Sequence, residues 1–536
     1  MSVYRPELQA GEPMTHFKTA RAKTVRAGLL AAAGCLTLTW ASPAVADWRR
    51  AESDRFIVYG ESSEADLRTY VQKLETFDMV LRGSMGLSLE AKPERKLPVY
   101  VVRNHRGLEA VRPGTPPQIA GFYVSGNEDI FAVAMMEGGG DLVLLHEYGH
   151  HFMYQNFAAA YPGWFIEGFA EYYATADIRS NSVSVGEANA DRAYWLFNGV
   201  WVPLEELLSK RPSEVTRRTE TYYPLSWLLT HWFLSDTARR QQLGAYLTDI
   251  NDGGDPVEAM QRATGMDITT LTRTLRGYSR GGLAYRRIND EFPRANVTIT
   301  TLPRSADRLL LLGQALKRNL PEDDEPGIVA EARQAAARFP NDPLAQLVLG
   351  RAELTAGDPD AAETVLDALL QAQPNNVEAL QLMARVLMTR ADALDDDTAR
   401  EAQQRAARSY LGRAFAQDDA NFTTFLMLAE SRQSAATYPN DNDIHTLRLA
   451  VQLAPQLPDA RLNLAAALIY RGEDPEVIRA LLRPAANDPH NAGLAAAAQQ
   501  MIEQAQSAAG SRSILNQMEA LAESEPEPPV EPTEAP

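Results

Sequence analysis

From about residue 305 to about residue 500 the chain runs in alanine- and leucine-rich stretches broken by Asp-Pro and Gly-Asp turns. The prolines fall in register there: Pro340 and Pro374 are 34 residues apart, and so are Pro455 and Pro489. The turns 357-GDPDAA-362 and 472-GEDPEV-477 fall between the helices of a pair. A fixed period of this length leaves few folds open. Each unit is one helix-turn-helix that cannot bury its apolar stripe alone, so successive units must stack into a one-dimensional array. The register stretches between Pro374 and Pro455, so about four units are expected, the middle ones irregular. An unrelated alanine-rich bundle is the alternative.

Period and small-residue pattern resemble the tetratricopeptide repeats, whose unit is about 34 residues long. That resemblance implies an all-α solenoid over residues 305–500 with a face that takes a protein partner.

The earlier part of the chain has another texture. The segment 55-RFIVYG-60 reads as a strand, 63-SEADLRTYVQKLETFDMVLRGSM-85 as a Ser-capped amphipathic helix, and 96-KLPVYVV-102 as a second strand. Two further β-rich runs, 119-IAGFYVSG-126 and 129-DIFAVAM-135, are joined by a turn at Gly126 and Asn127. Behind 138-GGG-140, Asp141 is a candidate N-cap for the helix 142-LVLLHEYGHHFMYQNF-157. Beyond residue 160 strand signals become rare, and 163-GWFIEGFAEYYATAD-177 and 223-YPLSWLLTHWFLSDTARRQQLGAYL-247 predict helices. The expected fold is thus an α+β lobe with a helical second lobe, over residues 47–290. A linker at 291–304 then leads to the repeats.

Three of the chain's eight histidines lie in 145-LHEYGHHF-152. On a helix His146 and His150, four apart, share a face and can offer both imidazoles to one zinc ion, with Glu147 beside that face and within reach of a water. A catalytic zinc needs a third protein ligand. In 164-WFIEGFAEYY-173, Glu167 and Glu171 again share a face. If that helix packs antiparallel to the first, Glu167 can complete the ligand set, and Glu171 can accept a hydrogen bond from the free nitrogen of His146 and fix its tautomer. His151 points off this face and is expected either behind the metal ligands or at the surface; His105 and His231 lack any motif, so core or surface roles are expected for both.

The combination of 146-HEYGH-150 with 166-IEGFAEYY-173 resembles the gluzincin branch of zinc metallopeptidases, and overall an uncharacterised bacterial group in which such a domain precedes tetratricopeptide repeats. The likeness covers about residues 47–290. It implies a zincin-like lobe, Zn2+ on His146, His150 and Glu167, Glu171 against a histidine ligand, and Glu147 as general base and proton carrier to the leaving amine. Sixteen residues separate His150 from Glu167, slightly fewer than in the better-known members. It further implies a tyrosine at the start of a helix whose hydroxyl stabilises the oxyanion; in 222-YYPLSWLLTHWFL-234 this is Tyr223, with Tyr222 as alternative. The edge strand that holds substrate backbone in this family would be 119–126 or 129–135. No Gly-x-Met-Glu-Asn segment precedes His146, so endopeptidase action is expected over N-terminal trimming.

The first 46 residues read as a secretory signal: Lys18, Arg21, Lys23 and Arg26 precede the apolar run 27-AGLLAAAGCLTLTWA-41 and a small-residue site, 44-AVA-46. Cleavage after Ala46 would export the chain to the periplasm or beyond. A membrane anchor or a lipid-modified Cys35 are the alternatives. Cleavage removes five basic and two acidic side chains, taking the formal charge from −18 to −21. That balance argues against nucleic acid and anionic membranes as partners. It also removes the single cysteine, which rules out disulfides in the mature chain. The segment 501–536, ending in 523-ESEPEPPVEPTEAP-536, is too acidic and proline-rich to build a core. The functional expectation is an exported zinc metallopeptidase acting on a peptide or protein substrate, with repeats that recruit substrate or partner. The alternative is a non-catalytic scaffold carrying a relic or structural zinc lobe, and hydrolysis of another amide or ester would use the same residues.

Overall fold

The computed structural model describes residues 47–507, apart from residues 137, 180, 319–324 and 489–490. The expected signal segment and most of the acidic tail lie outside the described residues.

The lobe is organised by a six-stranded sheet formed from β1 (Arg49–Glu52), β2 (Phe56–Gly60), β3 (Leu97–Val102), β4 (Gly121–Ser125), β5 (Ile130–Met135) and β9 (Thr298–Thr301), in the order β4-β5-β3-β2-β1-β9. Strands β2, β3 and β5 are parallel; β4, β1 and β9 join antiparallel. Strand β4 is therefore an edge, as is β9. A small second sheet holds β6 (Asp177–Arg179), β7 (Ser182–Val185) and β8 (Arg286–Ile288).

Strand β3 shows why the main sheet is covered on both sides. Leu97, Val99 and Val101 enter one buried cluster while Tyr100 and Val102 enter another, as alternation demands of a central strand. The first face carries α1 (Glu64–Met85), α3 (Gly140–Asn156) and, behind them, α4 (Gly163–Ala174). The second is covered by α2 (His105–Val111) and α11 (Ala306–Leu316). Helix α1 begins on the Ser63 cap and ends on Gly86 in the left-handed conformation.

The helical second lobe comprises α5 (Ala190–Asn198), α6 (Leu204–Ser209), α7 (Tyr222–Leu234), α8 (Thr237–Asp252), α9 (Pro256–Thr264) and α10 (Ile268–Ser279). The single helix expected over 223–247 is two: Asp236 caps the second by accepting from the amides of Ala238 and Arg239, which stops the first at Leu234.

The repeats are pairs: α11 with α12 (Glu325–Ala336), α13 (Pro343–Ala356) with α14 (Pro359–Ala372), α15 (Val377–Asp392) with α16 (Asp397–Gln417), α17 (Phe422–Glu430) with α18 (Asp441–Leu453), and α19 (Pro458–Tyr470) with α20 (Pro475–Ala486), closed by α21 (Ala492–Gln506). Aspartate caps followed by proline start α13, α14 and α20, which is the physical content of the Asp-Pro punctuation. The stretched register has a simple cause: α16 is 21 residues long.

Two boundaries differ from expectation. Residues 298–301, inside the expected linker, pair with all of β1. The repeats are also not a separate body hung on the lobe, since α11 forms a layer of the sheet and Phe422, Leu426, Leu453 and Leu457 share one core with Tyr148 and Phe152 of α3.

Candidate metal centre

Helix α3 begins directly after Gly138 and Gly139, both at positive φ, and Gly139 occupies the N-cap. Asp141, the expected cap, lies in the first turn and pairs with Lys73 at 2.6 Å. The helix is anchored from below by Tyr148, whose hydroxyl donates to Asp78 at 2.7 Å, a carboxylate also held by Arg82 and Arg55 at 2.6 and 2.7 Å. Burying so many charges is tolerable only because each is paired.

Two glycines set the approach of the next helices. A Cβ on Gly149 would lie 3.2 Å from the Cα of Ala170, and one on Gly168 would lie 2.2 Å from Thr230 Oγ1 and 2.5 Å from the Ser226 carbonyl oxygen. Helices α3, α4 and α7 therefore pack nearly backbone to backbone. The pairing of His146 with Glu171 and of His150 with Glu167 makes α3 and α4 antiparallel.

His146, His150 and Glu167 converge, with one donor atom from each inside 4.8 Å of the others. The edges of this triangle are 3.1 Å between the two Nε2 atoms and 3.4 and 3.6 Å from them to Glu167 Oε2. Ligand bonds of about 2.0–2.1 Å in a tetrahedron separate donor atoms by about 3.3–3.4 Å, so two imidazoles and a carboxylate so placed fit one zinc-sized ion. Glu167 is fully buried and His150 nearly so, whereas His146 keeps 16% of its side chain exposed. Burial opposes a charge on His146, but the hydrogen bond and charge of Glu167, then Glu171 and Glu147, outweigh it and hold the imidazole up at about 9. The pocket is built to favour positive charge.

Behind the triangle, His146 Nδ1 is 3.4 Å from Glu171 Oε1. Glu171 is in turn gripped by Arg192 of α5 through Nε at 3.0 Å and Nη2 at 2.9 Å, and that guanidinium lies 4.8 Å from the Tyr223 ring centroid. Tyr223 is half-buried; burial, and after it Glu167, raises its hydroxyl pKa, so it stays a proton donor. Tyr222 is committed elsewhere, donating to the Lys210 carbonyl at 2.8 Å with 1% exposure. Glu147 is half-buried, one residue from His146 on the same helix.

Three other histidines, His151, His231 and His105, are committed to other partners. His151 is buried against Tyr123 of β4, its Nδ1 3.0 Å from the hydroxyl, and burial followed by the charge of Arg95 holds it down to about 3. His231 is buried with its Nδ1 2.7 Å from the Tyr278 hydroxyl, and His105 contacts the Pro116 carbonyl oxygen at 3.0 Å. Sequence reading missed two neighbours of the centre. Arg192 stands in no motif, and nothing local announces its partner 21 residues upstream. Tyr154 could have been found, since it lies one helical turn beyond His150. Its buried hydroxyl has no hydrogen-bond partner among the described residues, and the charges acting on it include Asp488 and Arg461 from the repeats together with Glu167.

Comparison with known proteins speaks to the repeats. Residues 329–386 match the tetratricopeptide repeat family model. A thermophilic TPR protein of Thermus thermophilus is 17% identical, with a TM-score of 0.32, and the match covers 37% of this chain and 99% of that one. MamA is 18% identical with a TM-score of 0.25, over 30% of this chain and 88% of its own. No curated protein matches. The family match over residues 329–386 and the stacked helix pairs around it make the C-terminal region a tetratricopeptide-like helical solenoid, a kind of array that generally mediates protein contacts. Among the described residues no helix is long and apolar enough to cross a membrane.

Proposed function

We propose that the chain is an exported zinc-dependent hydrolase of peptide bonds, of the gluzincin type, with His146, His150 and Glu167 as ligands. The carrying observation is the convergence of those three donor atoms inside 4.8 Å with a carboxylate, Glu147, on the next residue of the same helix. A purely structural site has no need of Glu147. Zinc at such a centre supplies a Lewis acid that acidifies water and polarises a carbonyl. Glu147 takes a proton from the attacking water and returns it to the leaving amine. Tyr223 donates to the developing oxyanion, and Arg192 both steadies its ring and holds Glu171 against His146. The edge strand β4 is the available partner for extended substrate backbone.

The scaffold reading draws on a specific observation too, the repeat-family match over residues 329–386. Under that reading the array is the working part and the metal centre a relic. Hydrolysis separates the two. With the chain from Asp47 loaded with zinc, unstructured casein should be cleaved into internal fragments, and Glu147→Gln should lower the rate by about a thousandfold or more while keeping its zinc. A zinc-loaded wild type with no hydrolysis above that of Glu147→Gln would leave the scaffold reading standing.

A further inference from the structure

The first helices of successive repeat pairs wall a cavity of about 1500 Å3, and the opposite wall is the β4–β5 hairpin of the chain's own lobe. The hairpin turn reaches into the array. Glu128 pairs with Arg351 of α13, and Asp129 pairs with Lys317, just after α11, at 3.1 Å and with Arg95. Glu378 of α15 closes the set, 2.8 Å from Arg351 and 3.4 Å from Lys317. Three cations thus face three carboxylates, and the side chains of Lys317, Arg351 and Asp129 are only 12%, 7% and 8% exposed. Backbone is held as well: Thr423 of α17 donates to the carbonyl oxygens of Asn127 and Glu128 at 3.1 and 3.3 Å, and Ser125 donates to that of Gln456 at 3.2 Å. The Arg95 guanidinium lies 4.9 Å from the ring of buried Phe422.

We infer that the ligand of the inner face of the repeat array is this hairpin, and that the array positions the edge strand β4 beside the metal-binding helix. The geometry carries the point in both directions. A charge network with all six members paired, and with Lys317, Arg351 and Asp129 largely buried, is a specific lock, because a peptide that displaced the hairpin would leave Glu128 and Asp129 without their cations. In the middle of the same strand, Tyr123 meets His151, the residue after metal-facing His150. The repeats therefore act on the site in cis, by fixing the strand against which extended substrate would lie. This last step rests on the hydrolase reading; the lock itself does not.

Hydrogen exchange on the full mature chain tests the lock without reference to activity. Glu128→Arg, on a turn whose side chain is 45% exposed, and its reciprocal, Arg351→Glu, should each speed exchange at residues 121–130 by about tenfold, with β2 and β3 unchanged. The double variant should recover to within about threefold of wild type, as expected of a directly coupled pair. Wild-type exchange in both single variants, or an equal rise across the whole sheet with no recovery in the double variant, would overturn the inference. If casein is cleaved, the single variants should raise KM about fivefold at near-constant kcat, because β4 contributes to binding and not to the proton transfers. An unaltered KM despite faster hairpin exchange would overturn the functional half alone.

Discussion

Arg192 shows how much of the candidate metal centre depends on a residue that is not itself a candidate ligand. Its two bonds to Glu171 fix a carboxylate that faces His146, and removing such a partner typically weakens metal binding by about 10–100-fold. Arg192→Ala should therefore raise the zinc dissociation constant by about tenfold or more, measured by competition with a chromophoric chelator; unchanged affinity would show that Glu171 needs no support. His231 gives a pH prediction of definite sign. Burial, the largest influence, lowers its pKa below the ordinary value of 6.5. The unfolded chain then binds more protons as pH falls through 6.5, so this residue costs stability on the acid side and nothing well above that pH. His231→Gln should flatten the loss of denaturant stability below that pH, while leaving the slope above it unchanged. At this scale the two histidines and the two glutamates were legible because helical spacing makes i and i+4 neighbours. Arg192 was not, because its contact joins two helices that no local pattern connects.

Among the elements, the packing of α3, α4 and α7 decides whether the candidate ligands meet at all. Gly168 allows α4 to rest on the backbone of α7, with no room for a methyl group against the Ser226 carbonyl oxygen. Gly168→Ala should cost about 1–3 kcal/mol in chemical denaturation, the range for overpacking a tight core, and should weaken zinc binding with it. A variant as stable as wild type would mean that α4 and α7 separate freely. Helix existence in this region follows from amphipathic spacing, and the break between α7 and α8 follows from Asp236, a cap signal inside a continuous apolar pattern. Strand β9 left no comparable mark. The run 298-TITT-301 is short and largely exposed, and its place on β1 is fixed by pairing with a segment about 250 residues earlier in the chain.

For the whole molecule, the joint between lobe and repeats is the least legible feature and the most consequential. Period and punctuation announced stacked helix pairs, yet nothing periodic says that α11 covers a sheet face, where Ala306 and Leu310 pack with Tyr100 and Phe131. A chain ended at residue 304 should accordingly expose that face, bind a hydrophobic dye and lose cooperative unfolding, whereas independent domains would leave residues 47–304 folded. The same joint links the repeats through a shared core to the helix that carries His146 and His150, so the proposed zinc site and the repeat array are treated as one working unit. The measurement that bears most directly on that unit is metal content by mass spectrometry on the chain from Asp47, beside Glu167→Ala and Glu171→Ala. One zinc per chain, lost in Glu167→Ala and retained with weaker affinity in Glu171→Ala, is the expected result. A wild type that takes up no metal even when zinc is supplied would contradict the account.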